Sequence, residues 1–332
     1  METKKIKDFL ANNAIILLLF ILVLYVGVTQ DGFFSMTNFF NIASNVSPRF
    51  IIALGVSGTL ITKGTDLSAG RLVGLGGVLS CTLLQRADYT AKFFPNLPEI
   101  PIIIVLLGVV LLTGFFGFLN GTVISYLNVP PFLTTLGMQT IVYGINLVYS
   151  GATPLGGLRK DYTQIASAGI KIPGISELIK YLLIIAVIVG LFFWFLYNKT
   201  RHGKYMYAIG GNENAAEVSG VNTVAAKLRI YTLAGVMYGF AGFLLAAKSG
   251  GASVNLGLGY ELEAIAACTI GGVSTTGGIG TVPGILIGVL VFELLKTCMQ
   301  FLSIDTSWQY IVQGLVIIIA VALDIRKYTA KK

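Results

Sequence analysis

The sequence predicts an all-α integral membrane protein of about ten transmembrane helices. Of its 332 residues, 55% are hydrophobic and only 11% are charged, whereas a soluble domain carries roughly 25% charged residues. Its 40 glycines fit the same class, because glycine lets membrane-spanning helices approach closely. Residues 1–332 are therefore expected to form a single transmembrane domain.

Ten apolar stretches have the length, or nearly the length, that a bilayer crossing requires. They are Asn13–Val28, Phe50–Lys63, Leu67–Gln85, Pro101–Tyr126, Pro131–Tyr149, Ile179–Tyr197, Ile230–Lys248, Glu261–Gly272, Val282–Leu302 and Tyr310–Asp324. The second and the eighth are short, so hydropathy alone allows eight to ten crossings. The first run follows a basic head, as in a signal peptide, but without a small-residue cleavage site, which favours a retained first helix.

Basic residues are concentrated at the start, in the middle and at the end of the chain. They are Lys4, Lys5 and Lys7, the central segment 198–229, and Arg326, Lys327, Lys331 and Lys332. Segments rich in Lys and Arg stay on the cytoplasmic side. Six crossings followed by four place all three clusters inside, so both termini are expected in the cytoplasm. The connections 29–49, 86–100 and 151–178 then lie outside as turns.

Two Gly-rich polar interruptions predict breaks between helices near a membrane surface. The first is KGTDLSAGR, with the break residues Gly64, Thr65, Asp66, Leu67, Ser68 and Gly70, and the second is GGVSTTGGIGTVPG, residues 271–284. The string TLITKGTDLSAGRLVGLGG is similar to LAAKSGGASVNLGLGYELEA, and TGFFGFLNGTVISYL is similar to TGGIGTVPGILIGVL. Predicted helices 2–5 then match helices 7–10 as an inverted repeat, which in many transporters builds the substrate path. Candidates for that path are Asn120, Thr134 and Asn255.

The longest polar interruption, residues 198–229, is interpreted as a cytoplasmic surface for docking another protein. Within it, NENAAEVSG predicts a helix of about two turns, with an N-cap at its start and glycine as its C-cap. So short a helix is not stable alone and is expected to pack against something else. We expect close approach of a partner at the alanine pair. The residues of this predicted docking helix are Asn212, Glu213, Asn214, Ala215, Ala216, Glu217, Val218, Ser219 and Gly220.

The sequence predicts no catalytic, metal or nucleic-acid site. The motif G-x-x-x-x-G-K-[ST] does not occur, so this chain is not expected to hydrolyse ATP. The only histidine, His202, is expected to be a solvated residue beside Arg201, and Cys81, Cys268 and Cys298 are expected to be buried as small hydrophobes. The net charge of +8 does not indicate nucleic acid, because the basic residues lie at helix ends without a recognition motif.

Four carboxylates lie in or near the apolar stretches, where an ion-coupled carrier would need such groups. We expect Asp66 to cap the third helix, and Glu261 and Glu263 to lie in the first turn of the eighth. Glu293 precedes Lys296 by three residues, a spacing that predicts an ion pair along one helix. These four carboxylates are therefore compatible with a proton relay but do not require one.

Strings over nearly the whole chain carry a resemblance to one class of transporter. They are IIALGVSGTLITKGTDLSAGR, LNGTVISYLNVPPFLTTLG, IVYGIN, NKTRHGKYMYAIGGNENAAEVSGVN, ELEAIAACTIGGVSTTGGIGT, WQYIVQG and VALDIRKYTAKK. They resemble the membrane permease subunits of bacterial ABC importers for sugars of the ribose/galactose class. TDLSAGR and WQYIVQG favour the galactose/methyl-galactoside branch, whereas residues 151–178 depart from it.

The resemblance implies a homodimer of ten-helix, non-enzymatic permeases in the bacterial cytoplasmic (inner) membrane, surrounded by lipid. Its implied partners are a separate ABC-type ATPase, which binds ATP and Mg, and a periplasmic or surface sugar-binding protein. Asn212–Gly220 would be the coupling helix, seated in a groove of that ATPase. Galactose or methyl galactoside is the expected cargo, with ribose or another monosaccharide next. The alternatives are an ion-coupled sugar carrier and a passive polyol channel; the latter would need paired half-helix filter motifs.

Overall fold

The computed structural model describes residues 14–171 and 178–329, and this part of the chain forms thirteen α-helices and one β-hairpin. The elements are α1 (Ala14–Thr29), α2 (Met36–Ile61), α3 (Ala69–Leu83), α4 (Ile102–Tyr126), α5 (Pro131–Ser150), α6 (Lys160–Ser167), β1 (Gly169–Lys171), β2 (Leu178–Lys180), α7 (Tyr181–Lys199), α8 (Arg201–Gly211), α9 (Glu213–Val218), α10 (Thr223–Ser249), α11 (Tyr260–Ile270), α12 (Val282–Phe301) and α13 (Thr306–Thr329). The predicted all-helical class is confirmed. The basic head at residues 4–7 and the side chains of the basic tail lie outside the described residues.

Five of the described helices, α2, α4, α7, α10 and α12, are long and apolar enough to cross a bilayer. Shorter apolar segments lie in α1, α3 and α13. Within an 18-residue apolar stretch of each helix, only 28% is buried in α4 and in α7, whereas 78% is buried in α10. Helix α10 therefore lies at the centre of the bundle, while α4 and α7 present apolar side chains outward, as lipid contact requires.

Helix α2 begins earlier than the sequence predicted, so the expected external connection over residues 29–49 is wrong from Met36 onward. The Ser35 side chain caps the helix by accepting a hydrogen bond from the backbone N–H of Asn38 at 3.2 Å. The hydroxyl of Ser47 donates to a carbonyl one turn back, at 2.8 Å. Because these polar groups find partners within the helix, low hydropathy there does not mark a loop.

The segment 151–178 is also more structured than the predicted turns. It contains helix α6 and the first strand of the hairpin, which pairs antiparallel with β2. Tyr162 of α6 is fully buried, and its hydroxyl donates to the carbonyl of Phe243 in α10 at 2.6 Å. This contact holds α6 against the end of the central helix.

The first and second halves of the bundle pack crosswise. Helix α2 packs against α11 and α12, whereas α10 packs against α3 and α4. The first long helix of each half, α2 or α10, therefore packs against helices of the other half. Helices α4 and α10 touch through their backbones at Gly117 and Gly235, where a Cβ atom built on either glycine would lie 3.1 Å from the other's Cα.

Candidate functional site

The central basic segment forms two short helices at one end of the bundle. Helix α9 begins where the Asn212 side chain accepts a hydrogen bond from the Ala215 N–H at 3.1 Å, which is the predicted N-cap. It ends before Gly220, which has the left-handed backbone conformation (φ +86°) that favours glycine. Lys227 of α10 pairs with Glu213 at 2.5 Å and holds the start of α9 to the bundle.

The interpretation of Ala216 as a surface for a partner is wrong. Ala216 is 5% exposed because it packs against Ile209 of α8 and Ala226 of α10. The outward face of α9 instead contains Asn214, Ala215, Glu217 and Val218. Val218 is 91% exposed, the largest exposed fraction among the exposed large hydrophobic side chains of the described residues. Of the two alanines, Ala216 therefore lies on the inner face of α9 and Ala215 on its outer face.

The α8–α9 segment contacts both Gly-rich breaks. The backbone N–H of Gly278, in the second break, donates to the carbonyl of Ile61, at the end of α2, at 2.8 Å. Gly210 of α8 lies against both of these residues and leaves no room for a Cβ atom. The hydroxyl of Tyr207 in α8 donates to the Gly280 carbonyl at 2.8 Å. Movement of α8 would thus be transmitted to both breaks.

The first break, residues 62–68, is buried beside the central helix. Asp66 does not cap α3 as predicted, because α3 begins at Ala69 with Ser68 as its N-cap residue. The Asp66 carboxylate instead accepts hydrogen bonds from the Ser68 hydroxyl at 2.6 Å and from the Tyr238 hydroxyl of α10 at 3.1 Å. It therefore fixes the break to α10.

The three predicted path residues lie in different surroundings. Asn120 is fully buried, and its amide nitrogen donates to the Ser68 hydroxyl at 3.0 Å. The Thr134 hydroxyl donates to a carbonyl of its own helix and does not reach the break. The neighbouring Thr135 does, because its hydroxyl accepts from the Leu67 N–H at 3.1 Å. Asn255 is exposed and borders a separate cavity.

A buried charge network that the sequence did not reveal joins α2, α11 and α12. The Arg49 guanidinium lies 3.2 Å from Glu263 and 2.9 Å from Glu293. The predicted pair of Glu293 with Lys296 is therefore wrong, because an arginine from another helix reaches that carboxylate first. Glu261 and Glu263 do lie in the first turn of α11, as predicted. Only tertiary packing could reveal that Arg49 is the neighbour of Glu263 and Glu293.

Histidine and cysteine supply no evident reactive group. Cys81, Cys268 and Cys298 are buried, as predicted. His202 is half-buried in α8 and not simply solvated, and burial together with the Arg229 charge lowers its pKa. Among the described residues, no cluster of three or more metal-ligating side chains occurs.

Apolar helices that enclose buried polar breaks, with a basic helical element at one end, define a membrane transport protein. The family described as the permease component of the branched-chain amino acid transport system matches residues 38–321, and the chain belongs to this family. It is a multi-pass permease component of the bacterial inner membrane, and its relatives are transport subunits and not enzymes.

Individual relatives are similar over almost the whole chain. The galactose/methyl galactoside import permease proteins of Haemophilus influenzae and Escherichia coli K12 are each 44% identical over 100% of this chain and 99% of their own. The ribose import permease protein of Bacillus subtilis is 33% identical over 93% of this chain and 91% of its own. No solved structure matches.

Proposed function

We propose that the chain is the membrane permease subunit of an ATP-binding-cassette importer for galactose or methyl galactosides. The family description names amino acids, but the relatives quoted above are named for sugars. Identity is 44% to the permeases named for galactose and 33% to the one named for ribose, which favours the former sugar. An ion-coupled carrier or a polyol channel has no comparable support.

The main support for a role of α9 in coupling the permease to an ATPase is that one face of α9 is packed and the other is exposed. Its inner residue Ala216 is packed against the bundle, while Val218 is 91% exposed at its tip. The outward residues Asn214, Ala215, Glu217 and Val218 contact a separate ATPase subunit, which binds ATP and Mg. Segment 198–229 also contacts both breaks. When the ATPase moves α9, this segment therefore transmits the movement to the transport path.

The proposed topology has ten crossings with both termini in the cytoplasm, and contacts at the two ends of the bundle support it. The coupling segment and the two breaks meet at one end. At the other end, the segments 86–100 and 151–168 meet, since the Arg159 guanidinium donates to the Ile100 carbonyl at 2.8 Å. The crosswise packing of α2 and α10 supports an inverted repeat of helices 2–5 and 7–10.

The transport path runs past the first break and Asn120 toward Asn255. Asn120 is a fully buried amide whose carbonyl oxygen has no hydrogen-bond partner among the described residues, which suits a group facing a polar path. Thr135, and not Thr134, is the proposed path residue of α5, because Thr135 contacts the break. A broken helix of this kind is stable in a membrane only beside protein or a water-filled cavity.

The proposed importer also contains a sugar-binding protein on the outer side and lipid around α4 and α7. The comparisons with relatives do not support the second copy that the resemblance implied, and the proposal does not depend on one. Specificity for the sugar then arises in both the binding protein and the permease.

Deletion of the gene tests the cargo. Uptake of radiolabelled galactose and methyl galactoside should fall to background in the deletion strain and return with the intact gene. Ribose uptake should not change. Unchanged uptake of both galactose and methyl galactoside would overturn the proposed cargo. A selective loss of ribose uptake would show that the cargo is ribose.

Substitution of Val218 tests the coupling surface. Val218→Asp should leave the amount of inserted permease unchanged, because the side chain is exposed. Retention of the ATPase during purification should weaken roughly tenfold, about 1.4 kcal/mol. Val218→Ile is the matched control, since it keeps an apolar branched side chain. Equal ATPase retention by both variants would remove α9 from the interface.

A further inference from the structure

A polar cavity of about 310 Å³ lies between the start of α11, the end of α12 and the start of α13. This volume is at the lower end for pockets that bind small molecules, roughly 300–1,000 Å³. Six of the residues around it carry polar or aromatic groups that suit ligand binding: Asn255, Tyr260, Lys296, Gln309, Tyr310 and Gln313. Gln309, Tyr310 and Gln313 lie together in the string WQYIVQG, but the sequence did not group them with the other three, because the six come from three helices and a loop.

The cavity lies far from the coupling segment. Helix α12 begins next to Gly280, which the Tyr207 hydroxyl of α8 contacts at 2.8 Å. Lys296 follows the first residue of α12, Val282, by fourteen positions, so at the rise of an α-helix it lies about 21 Å along the axis. In the proposed topology, the cavity therefore opens toward the outer side, from which a binding protein would deliver sugar.

Several polar groups at the cavity are not used by the protein itself. Gln313 is only 7% exposed, and neither its amide nor the Lys296 ammonium has a hydrogen-bond or ion-pair partner among the described residues. The Gln309 amide nitrogen donates to the Ile304 carbonyl at 2.8 Å, which leaves its carbonyl oxygen as an acceptor. These groups therefore remain available to bind water or a polar ligand in the cavity.

The composition of the lining selects the class of ligand. Glu263 also borders the cavity, but the Arg49 guanidinium at 3.2 Å holds it in an ion pair. The amides of Asn255 and Gln313 each combine a donor with an acceptor, as adjacent hydroxyl groups of a sugar require. The ring of Tyr310 supplies an apolar face with a polar tip, which suits the C–H face of a pyranose. Together these groups fit a small neutral polyhydroxyl compound.

We propose that this cavity is a monosaccharide subsite at the outer entrance of the transport path, formed by α11, α12, α13 and the loop before α11. The inference rests on the proposed function and deepens it, because it assigns sugar recognition to the permease itself. The subsite receives the sugar after its release from the binding protein and before the path opens toward the first break.

Protection of a cysteine probe tests the subsite directly. The three native cysteines are buried, so a cysteine placed on the cavity wall by Leu258→Cys, at a position that is 55% exposed, should be the main position in this chain that reacts with a small water-soluble maleimide in membrane vesicles. Galactose at saturating concentration should slow this labelling roughly fivefold if sugar fills the cavity. An equal concentration of choline chloride is the control for osmotic and ionic effects. Equal labelling with and without galactose, or equal protection by choline, would overturn the subsite.

Transport by the complete importer provides the second measurement. Gln313→Ala should reduce galactose uptake by up to about tenfold, the size of a lost hydrogen bond to substrate. ATP hydrolysis stimulated by the loaded binding protein should persist, because the coupling segment is untouched. Gln300→Ala, on an exposed glutamine outside the cavity, is the matched control and should transport normally. Normal uptake by Gln313→Ala would refute the subsite alone, whereas failure of the intact importer to take up galactose would refute the proposed function.

Discussion

The Arg49 guanidinium lies 2.9 Å from the Glu293 carboxylate, and the Glu293 side chain is only 2% exposed. This pair joins α2 of the first half to α12 of the second. The same guanidinium lies 3.2 Å from Glu263 of α11. A cation that hydropathy assigns to an external loop is thus an internal connection between the two halves.

Removal of this cation should destabilise the permease strongly. Arg49→Gln leaves the buried Glu293 and the partly buried Glu263 without their counter-ion, and loss of one partner from a buried pair costs about 3–5 kcal/mol. Glu293→Gln should cost less, because Arg49 keeps Glu263. Thermal unfolding of the purified permease in detergent measures both. Arg86→Gln is the control, since Arg86 is exposed and its distance to Asp88 is 3.8 Å; an effect of Arg49→Gln no larger than this would contradict the network.

Ala215 and Ala216 should respond oppositely to leucine. Ala216→Leu forces extra volume between Ile209 and Ala226, and overpacking of this kind costs about 1–3 kcal/mol. Ala215 is exposed, so Ala215→Leu should leave the helix intact and affect only ATPase binding. Limited proteolysis of segment 198–229 separates the two, with faster cleavage expected for Ala216→Leu alone. Equal cleavage of the two variants would show that Ala216 is not packed inside.

Gly117 and Gly108 lie on the same helix but face different surroundings. A Cβ atom on Gly117 would contact the Tyr231 carbonyl and the Cα of Gly235 in α10, so Gly117→Ala should separate α4 from α10 and cost about 1–3 kcal/mol. A Cβ atom on Gly108 meets nothing within 4 Å. Gly108→Ala should therefore be neutral or raise the unfolding temperature slightly. Thermal unfolding in detergent measures this contrast, and a similar loss in both variants would exclude close packing at Gly117.

Reporter fusions test the orientation of the bundle. A reporter fused after Lys204 should give a cytoplasmic signal, because α8 lies at the end with the basic segment. Fusions after Asn96 and Gly169 should give periplasmic signals, since the segments 86–100 and 151–168 meet at the other end. An alkaline phosphatase signal at Lys204 would invert the whole arrangement.

The local features of this chain were predictable because each depends on neighbouring residues. The positions of the apolar helices follow from runs of hydrophobic side chains, and the capped helix α9 follows from Asn212 and Gly220 within nine residues. Prediction failed in the first half of α2, where Ser47 satisfies its hydroxyl within the helix. Hydropathy measures side-chain polarity and cannot register a hydrogen bond that removes its cost.

By itself, the sequence determined the membrane class, the helical content, the Gly-rich breaks and the existence of a basic segment in the middle of the chain. Tertiary structure alone decided which charges meet and which face of each helix is buried. Spacing along one helix made Lys296 the partner of Glu293, but the neighbouring helix α2 places Arg49 within 2.9 Å. Likewise, Ala215 and Ala216 are identical in chemistry and adjacent in sequence, and only packing against Ile209 and Ala226 makes one internal and the other external. Contacts between distant segments depend on how whole helices pack, and no local pattern contains that information.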